Sequence, residues 1–242
     1  YDYEHEQSTI NHQPSTVSML RNLRTCELKM DTQLIKIDLA RPDRSTLRAV
    51  ARRLERGEIC VLPTDTIYGF HCRADLPAAL ARLQALKERG EPKPMVVLIS
   101  GPDYLVSAGI AIPPAARRLM ERFWPGPLTL VLPAPGVFPE ALTGGAASVA
   151  VRQPGFPVLT RLIEMAGSPL ASTSVNVTGA APLNDPAAIA AAFGGRVECV
   201  VDGGALPEST PSTIVSFTVH PPAVLREGAL PAEFIRPVLT ES

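Results

Sequence analysis

Apolar residues along this chain recur with two alternating periods, and the switch between them predicts the elements. Leu34-Ile35-Lys36-Ile37 has the short branched pattern of a strand. Leu47, Val50, Ala51 and Leu54 then fall three and four apart, one face of a helix that Ser45 is expected to cap and Gly57 to end. Ile59-Cys60-Val61-Leu62 reads as a strand stopped by Pro63, and Leu80, Leu83 and Leu86 restore the helical period across 76–87. The continuous apolar run 95–99 predicts a buried strand. Pro113-Pro114 opens a helix through Leu119 and Phe123, which Trp124-Pro125-Gly126-Pro127 breaks. Strands are expected at 128–132, 148–151, 170–173, 197–201, 213–217 and 223–226, with helices at 158–165 and 186–193. Helix and strand alternate early and strands cluster late, which predicts an α/β fold: a twisted mixed sheet flanked by helices, in one domain.

Residues 1–30 break this pattern. They are polar, aperiodic and poor in branched apolar side chains, so the expected division is a disordered polar leader over 1–30 and a folded domain over 31–242. Net charge changes the picture little: 23 Lys+Arg stand against 24 Asp+Glu, without the basic excess of a protein that coats nucleic acid. Cys26, Cys60, Cys72 and Cys199 are scattered, with neither a C-x-x-C pair nor a histidine at ligand spacing. That argues against a disulfide framework or structural zinc and for reduced thiols in a cytoplasmic protein. No apolar run approaches bilayer-spanning length, and the first residues hold no secretory apolar segment, so no membrane partner is expected.

Chemistry-bearing side chains gather where strands end. Pro63-Thr64-Asp65-Thr66-Ile67-Tyr68-Gly69 follows a buried strand, where open α/β sheets bind ligands, although a polar turn explains the same content. Lys87-Glu88-Arg89 closes a helix. It reads either as the cations that complement a helix C-terminus or as a pair aimed at phosphates. Ser172-Thr173-Ser174-Val175-Asn176 offers three hydroxyls and an amide, more donors than one cap or turn consumes. Arg152 ends a strand, as a surface residue or as a fork for a carboxylate. Ser212-Thr213 and Arg226 sit at strand ends in the same fashion. Neither G-x-x-x-x-G-K-[ST] nor G-x-G-x-x-G occurs, and His5, His12, His71 and His220 form no ligand cluster.

In this order the segments resemble the YrdC-like family of threonylcarbamoyl-AMP synthases, in its short, single-domain form. The matching residues are 63–69, the Lys87-x-Arg89 pair, Trp124-Pro125-Gly126-Pro127, Val149-Ala150-Val151-Arg152, Ser172-Thr173-Ser174-x-Asn176, Pro211-Ser212-Thr213-Ile214 and Leu225-Arg226-x-Gly228. The resemblance implies a YrdC-like single domain around a concave basic cavity. It also implies synthesis of threonylcarbamoyl-adenylate and pyrophosphate from L-threonine, bicarbonate and ATP, with Lys87 and Arg89 as the catalytic cations. Lys87, Arg89, Ser148, Ser174, Asn176 and Arg226 would hold ATP. Thr66, Tyr68, Arg152, Ser172 and Ser212 would hold threonine. Mg2+ would ride mainly on substrate oxygens, with no protein metal site. Implied partners are tRNA threonylcarbamoyl-transferase components acting beside the anticodon, with a weak tRNA or RNA contact. Val175 stands where alanine is common in the family, and Leu98 where some longer relatives carry histidine. Two other readings stay open: a carbamoyl-adenylate module of the hydrogenase-maturation type, and a nucleotide- or RNA-binding relative without turnover.

Overall fold

The structure of the chain is a computed structural model, and it describes residues 31–87, 93–207 and 210–241. The polar leader expected over 1–30 lies outside the described residues. In chain order the elements are β1 (Gln33–Lys36), α1 (Arg44–Glu55), β2 (Cys60–Leu62), β3 (Gly69–Arg73), α2 (Pro77–Leu86), β4 (Val96–Leu98), α3 (Asp103–Ser107), α4 (Pro114–Phe123) and β5 (Leu128–Pro133). They continue with α5 (Glu140–Thr143), β6 (Ser148–Arg152), α6 (Pro157–Ala166), β7 (Leu170–Ser174), α7 (Pro186–Phe193), β8 (Cys199–Asp202), β9 (Thr213–Ser216), β10 (Ala223–Arg226) and α8 (Ala232–Thr240). Among the described residues the strands form one sheet in the order β1-β8-β2-β3-β7-β4-β6-β5-β9-β10. Pairing is parallel at β1/β8, β8/β2, β4/β6 and β5/β9 and antiparallel elsewhere, so the expected mixed sheet is present.

Strand alternation sends successive side chains to opposite faces, and the two faces are finished differently. On one face Val61, Phe70, Val97, Leu130, Val151, Ala171 and Val215 pack with Leu80 and Leu83 of α2, Leu119 of α4, Phe193 of α7 and Ile235 of α8. On the other, Cys60, Leu62, Leu98, Leu170 and Cys199 are covered by Leu47, Val50 and Leu54 of α1 and by Leu159, Leu162 and Ile163 of α6. These two helices reach only part of that face. Farther along it, Arg152, Ser172, Ser174 and Ile214 line an open cavity.

Local chemistry explains most boundaries. Asp43, rather than the expected Ser45, caps α1, its carboxylate accepting the Thr46 N–H at 2.9 Å. The carboxylate sits two residues earlier and takes the cap that the hydroxyl was expected to make. Asp185 caps α7 in the same way, with Pro186 at the first helical position. Gly167, at φ 65°, ends α6. Strand β3 was not expected at all. Phe70 and Cys72 alternate with Gly69, His71 and Arg73, but two apolar positions make a weak pattern, and β2 and β7 hydrogen-bond the run from both sides to complete the strand. Helices α3, α5 and α8 also went unforeseen, being short or carrying an internal proline, as Pro237 in α8 does.

His71 follows from β3's position. It is fully buried, its Nε2 lies 3.2 Å from Ser172 Oγ, and burial pushes its pKa down to about 4. The unfolded chain binds a proton here near pH 6.5, while the folded one stays neutral. Stability from this group is therefore complete above that pH and is lost as the pH falls towards about 4. Urea unfolding at pH 7.5 and 5.5 should give a loss of about 1.4 kcal/mol attributable to His71, and His71→Gln should remove that part of the difference.

Candidate active site

The cavity has a volume of about 400 Å³, and it opens where β2 ends, β3 begins and β7 ends. Its entrance turn is organised by Thr64. The Thr64 hydroxyl donates to the Ile67 carbonyl at 2.7 Å and accepts the N–H groups of Thr66 and Ile67 at 3.0 and 3.1 Å. This side-chain turn buries Thr64 and Thr66 and faces both hydroxyls towards each other at 3.0 Å. Gly69 then admits the chain to the sheet. A Cβ there would lie 2.7 Å from the His71 ring and 3.2 Å from Ser172 Oγ, so a larger residue would fill the floor of the cavity.

Arg152 ends β6 and is held from three directions. Its Nε donates to the Gly126 carbonyl at 2.9 Å and its Nη1 to Thr66 Oγ1 at 3.1 Å, while Nη2 pairs with Asp65 Oδ1 at 2.5 Å. Burial lowers the guanidinium's pKa, and Asp65 opposes that shift. Trp124-Pro125-Gly126-Pro127 has a clear task here. Its Trp124 Nε1 donates to the Leu128 carbonyl at 2.6 Å and Gly126 N–H to the Gln153 carbonyl at 3.0 Å, which fixes the carbonyl that Arg152 grips.

On the far wall, Ser212 Oγ meets Thr129 Oγ1 at 2.8 Å, and Arg226 Nη2 donates to the Ser212 carbonyl at 2.7 Å. Burial and then the charge of Arg152 lower the Arg226 pKa, so the two guanidiniums sense each other across the cavity. Gly228 makes this wall possible. A Cβ there would fall 2.1 Å from the Pro211 carbonyl oxygen, and Gly228 N–H donates to Thr213 Oγ1 at 2.8 Å. Arg152 and Arg226 are the charged side chains lining the cavity among the described residues.

Lys87 follows α2 directly and is 1% exposed. Its Nζ donates to the Ser174 carbonyl at 2.6 Å and to Asn176 Oδ1, and Ser174 Oγ donates to the same Asn176 oxygen at 2.7 Å. Three residues expected to hold ATP thus form one network beside the end of β7.

Of the residues expected at the site, Thr66, Tyr68, Arg152, Ser172, Ser174, Ser212 and Arg226 all border the cavity. Tyr68 borders it while its hydroxyl turns elsewhere, donating to the Gly204 carbonyl at 2.8 Å and accepting Gly203 N–H at 3.1 Å. Lys87 and Asn176 join through Ser174. Ser148 shares Arg152's face of β6 but stands outside the lining, four residues back along the strand, opposite Pro133. Arg89 lies outside the described residues. Sequence reasoning missed Asp65, Gly126, Thr129 and Ile214. Asp65 carried a signal, a carboxylate amid hydroxyls in the first motif, but its arginine partner is 87 positions away. Gly126 and Ile214 stood inside matched motifs without a role of their own, and Thr129 carried no signal, because only strand register turns it inward.

The family model described as "Telomere recombination", Sua5/YciO/YrdC, matches residues 52–228. A Pyrococcus abyssi protein named threonylcarbamoyl-AMP synthase is 37% identical over 195 residues, 81% of this chain and 57% of that protein. One of the same name from Bacillus subtilis is 33% identical over 190 residues, 78% of this chain and 55% of that protein. The chain thus spans a little over half the length of these relatives. Among solved structures, P. abyssi Sua5 complexed with L-threonine matches with a TM-score of 0.82 at 36% identity, covering 87% of this chain and 62% of that one. Escherichia coli YciO shares the fold, with a TM-score of 0.76 at 24% identity, covering 84% of this chain and 98% of that one. By the extent of the family match and the identity to these relatives, the chain belongs to the Sua5/YciO/YrdC family.

Proposed function

We propose that the chain makes threonylcarbamoyl-adenylate and pyrophosphate from L-threonine, bicarbonate and ATP. The observation that carries this reading is Arg152, a buried arginine anchored at three points on the wall of a hydroxyl-lined cavity. A guanidinium carries five N–H donors, of which Gly126 and Thr66 take two by hydrogen bond, and its planar fork suits a substrate carboxylate. The relatives' names and the threonine complex of P. abyssi Sua5 support the same assignment.

In this reading Arg152 takes the threonine carboxylate, and Thr66, Ser172 and Ser212 supply hydroxyls around it. The threonine amine and bicarbonate form a carbamate with loss of water. A carbamate oxygen attacks the α-phosphorus of ATP, the bond to the bridging oxygen breaks, and pyrophosphate leaves. Several negative charges meet in one place, so the protein's work is positioning and electrostatic stabilisation by Lys87, Arg89 and Arg226. Lys87 would exchange its contact with Asn176 for a phosphate oxygen.

No three carboxylate, imidazole or thiol groups converge among the described residues, and the cavity's polar side chains are hydroxyls and guanidiniums. That donor set fits Mg2+ carried on the nucleotide's own phosphate oxygens. The ion would supply charge neutralisation there. The product is a mixed anhydride and demands an acceptor, which we take to be the adenosine beside a tRNA anticodon, reached through a separate transferase. No helix among the described residues is long and apolar enough to cross a membrane.

Purified protein given ATP, bicarbonate and threonine should release pyrophosphate, and withholding threonine should stop it; release that ignores threonine would sink the reading. Arg152→Lys keeps the charge but loses the fork, and should raise the apparent KM for threonine well above any change for ATP. An effect on ATP alone would put Arg152 in the other half of the site. Lys87→Ala should weaken ATP turnover by about 1.5–3 kcal/mol, the range for hydrogen bonds to charged groups. Because Lys87 is buried, the same change should also lower unfolding stability by about 1–3 kcal/mol, read by urea titration. Wild-type turnover in that variant would leave Lys87 a purely structural residue.

A further inference from the structure

We propose that Asp65 is a positioning residue for the substrate carboxylate, acting through Arg152 rather than touching the ligand. This rests on the threonine reading given above. The geometry assigns each carboxylate oxygen of Asp65 a separate duty. Oδ1 pairs with Arg152 Nη2 at 2.5 Å, while Oδ2 accepts the Gly155 N–H at 3.0 Å. The second contact locks the first, because a carboxylate held at one oxygen cannot swing away from the guanidinium. Gly155 is needed for it: a Cβ there would lie 3.1 Å from Oδ2 and crowd the carboxylate.

Both partners are largely withdrawn from water, with side chains 6% exposed for Arg152 and 14% for Asp65. Arginine at a surface samples many rotamers, and binding a ligand must first order it. Here that ordering is done during folding. Asp65, Gly126 and Thr66 each take a different nitrogen, which fixes both the position and the plane of the fork. Asp65 comes from the turn before β3, Gly126 from the turn before β5, and Arg152 from the end of β6, so the clamp also ties two separate loops to a strand end around one group. Asp65 offsets the guanidinium's charge as well, which makes its burial tolerable without a bound anion.

The test separates positioning from charge and from simple stability. Asp65→Asn removes the charge and replaces one acceptor by a donor. Asp65→Glu keeps the charge but displaces the carboxylate by one methylene. Both should weaken threonine binding in calorimetry by about tenfold to a hundredfold, the span of one charge-assisted hydrogen bond, with ATP affinity within about twofold of wild type. Asp65→Glu should do so with a Tm close to wild type, which keeps the result readable if Asp65→Asn folds poorly. Side-chain ¹⁵N spectra supply a readout that needs no substrate: the Arg152 Nη–H signals should be ordered in the wild type and averaged in both variants. Ordered signals in the variants, or threonine and ATP affinities that fall together with Tm, would overturn the proposal. If the wild type fails to bind threonine while Arg152 ordering still depends on Asp65, the functional reading falls and the positioning role stands.

Discussion

The position of the Arg152 guanidinium depends on two loops and a strand end arriving at one point. The turn after β2 delivers Asp65 and Thr66, the Trp124-Pro125-Gly126-Pro127 segment delivers a carbonyl, and β6 delivers the guanidinium itself. A buried cation with too few partners would cost several kcal/mol, so these contacts are a condition of the fold as much as a feature of the site. Loops that carry ligand groups are ordinarily the most variable in position. Here they share a charge that none of them can release without stranding the others, and the cavity wall gains rigidity from that.

The half-covered sheet supplies the second constraint. One face is packed under helices along most of its width, while α1 and α6 cover only part of the other. Residues at the open end of that face border the cavity, and they are Ser172, Ser174 and Arg152, whereas Ala171 and Val151, one position away from Ser172 and Arg152 on the same strands, are core. Period-two alternation thus converts a single strand such as β6 into core on one side, through Val149 and Val151, and into binding wall on the other, through Arg152. The cavity wall is the part of the sheet that the helices leave bare.

Lys87 illustrates how the two halves meet. It was legible as a helix-end cation, but its burial and its network with Ser174 and Asn176 link α2 to the end of β7, next to the cavity wall. Lys87, Ser174 and Asn176 satisfy one another's hydrogen bonds within the protein, as buried polar groups must. A phosphate entering there would exchange partners rather than fill unmet ones, which keeps the cost of burying Lys87 low in either state.

Amphipathic period and strand-end chemistry, both local properties, determined the mixed α/β sheet, the helix faces of α1 and α6, and the clustering of hydroxyls and cations after strands. Seven motifs in family order were enough to place the chain in its family, because each is a contiguous run. What the tertiary structure alone decided are relations between distant positions. Strand β3 is completed by its pairing with β2 and β7, since Phe70 and Cys72 alone make too short an alternation to mark a strand. Ser148 falls outside the cavity, despite sharing a face with Arg152, because four residues along a strand span about 13 Å. Thr129 and Ile214 enter the site through register, which a single sequence does not encode locally. Asp65 becomes the partner of Arg152 only when the turn after β2 and the end of β6 are brought together, because a contact ion pair needs its charges within about 4 Å whatever the separation along the chain.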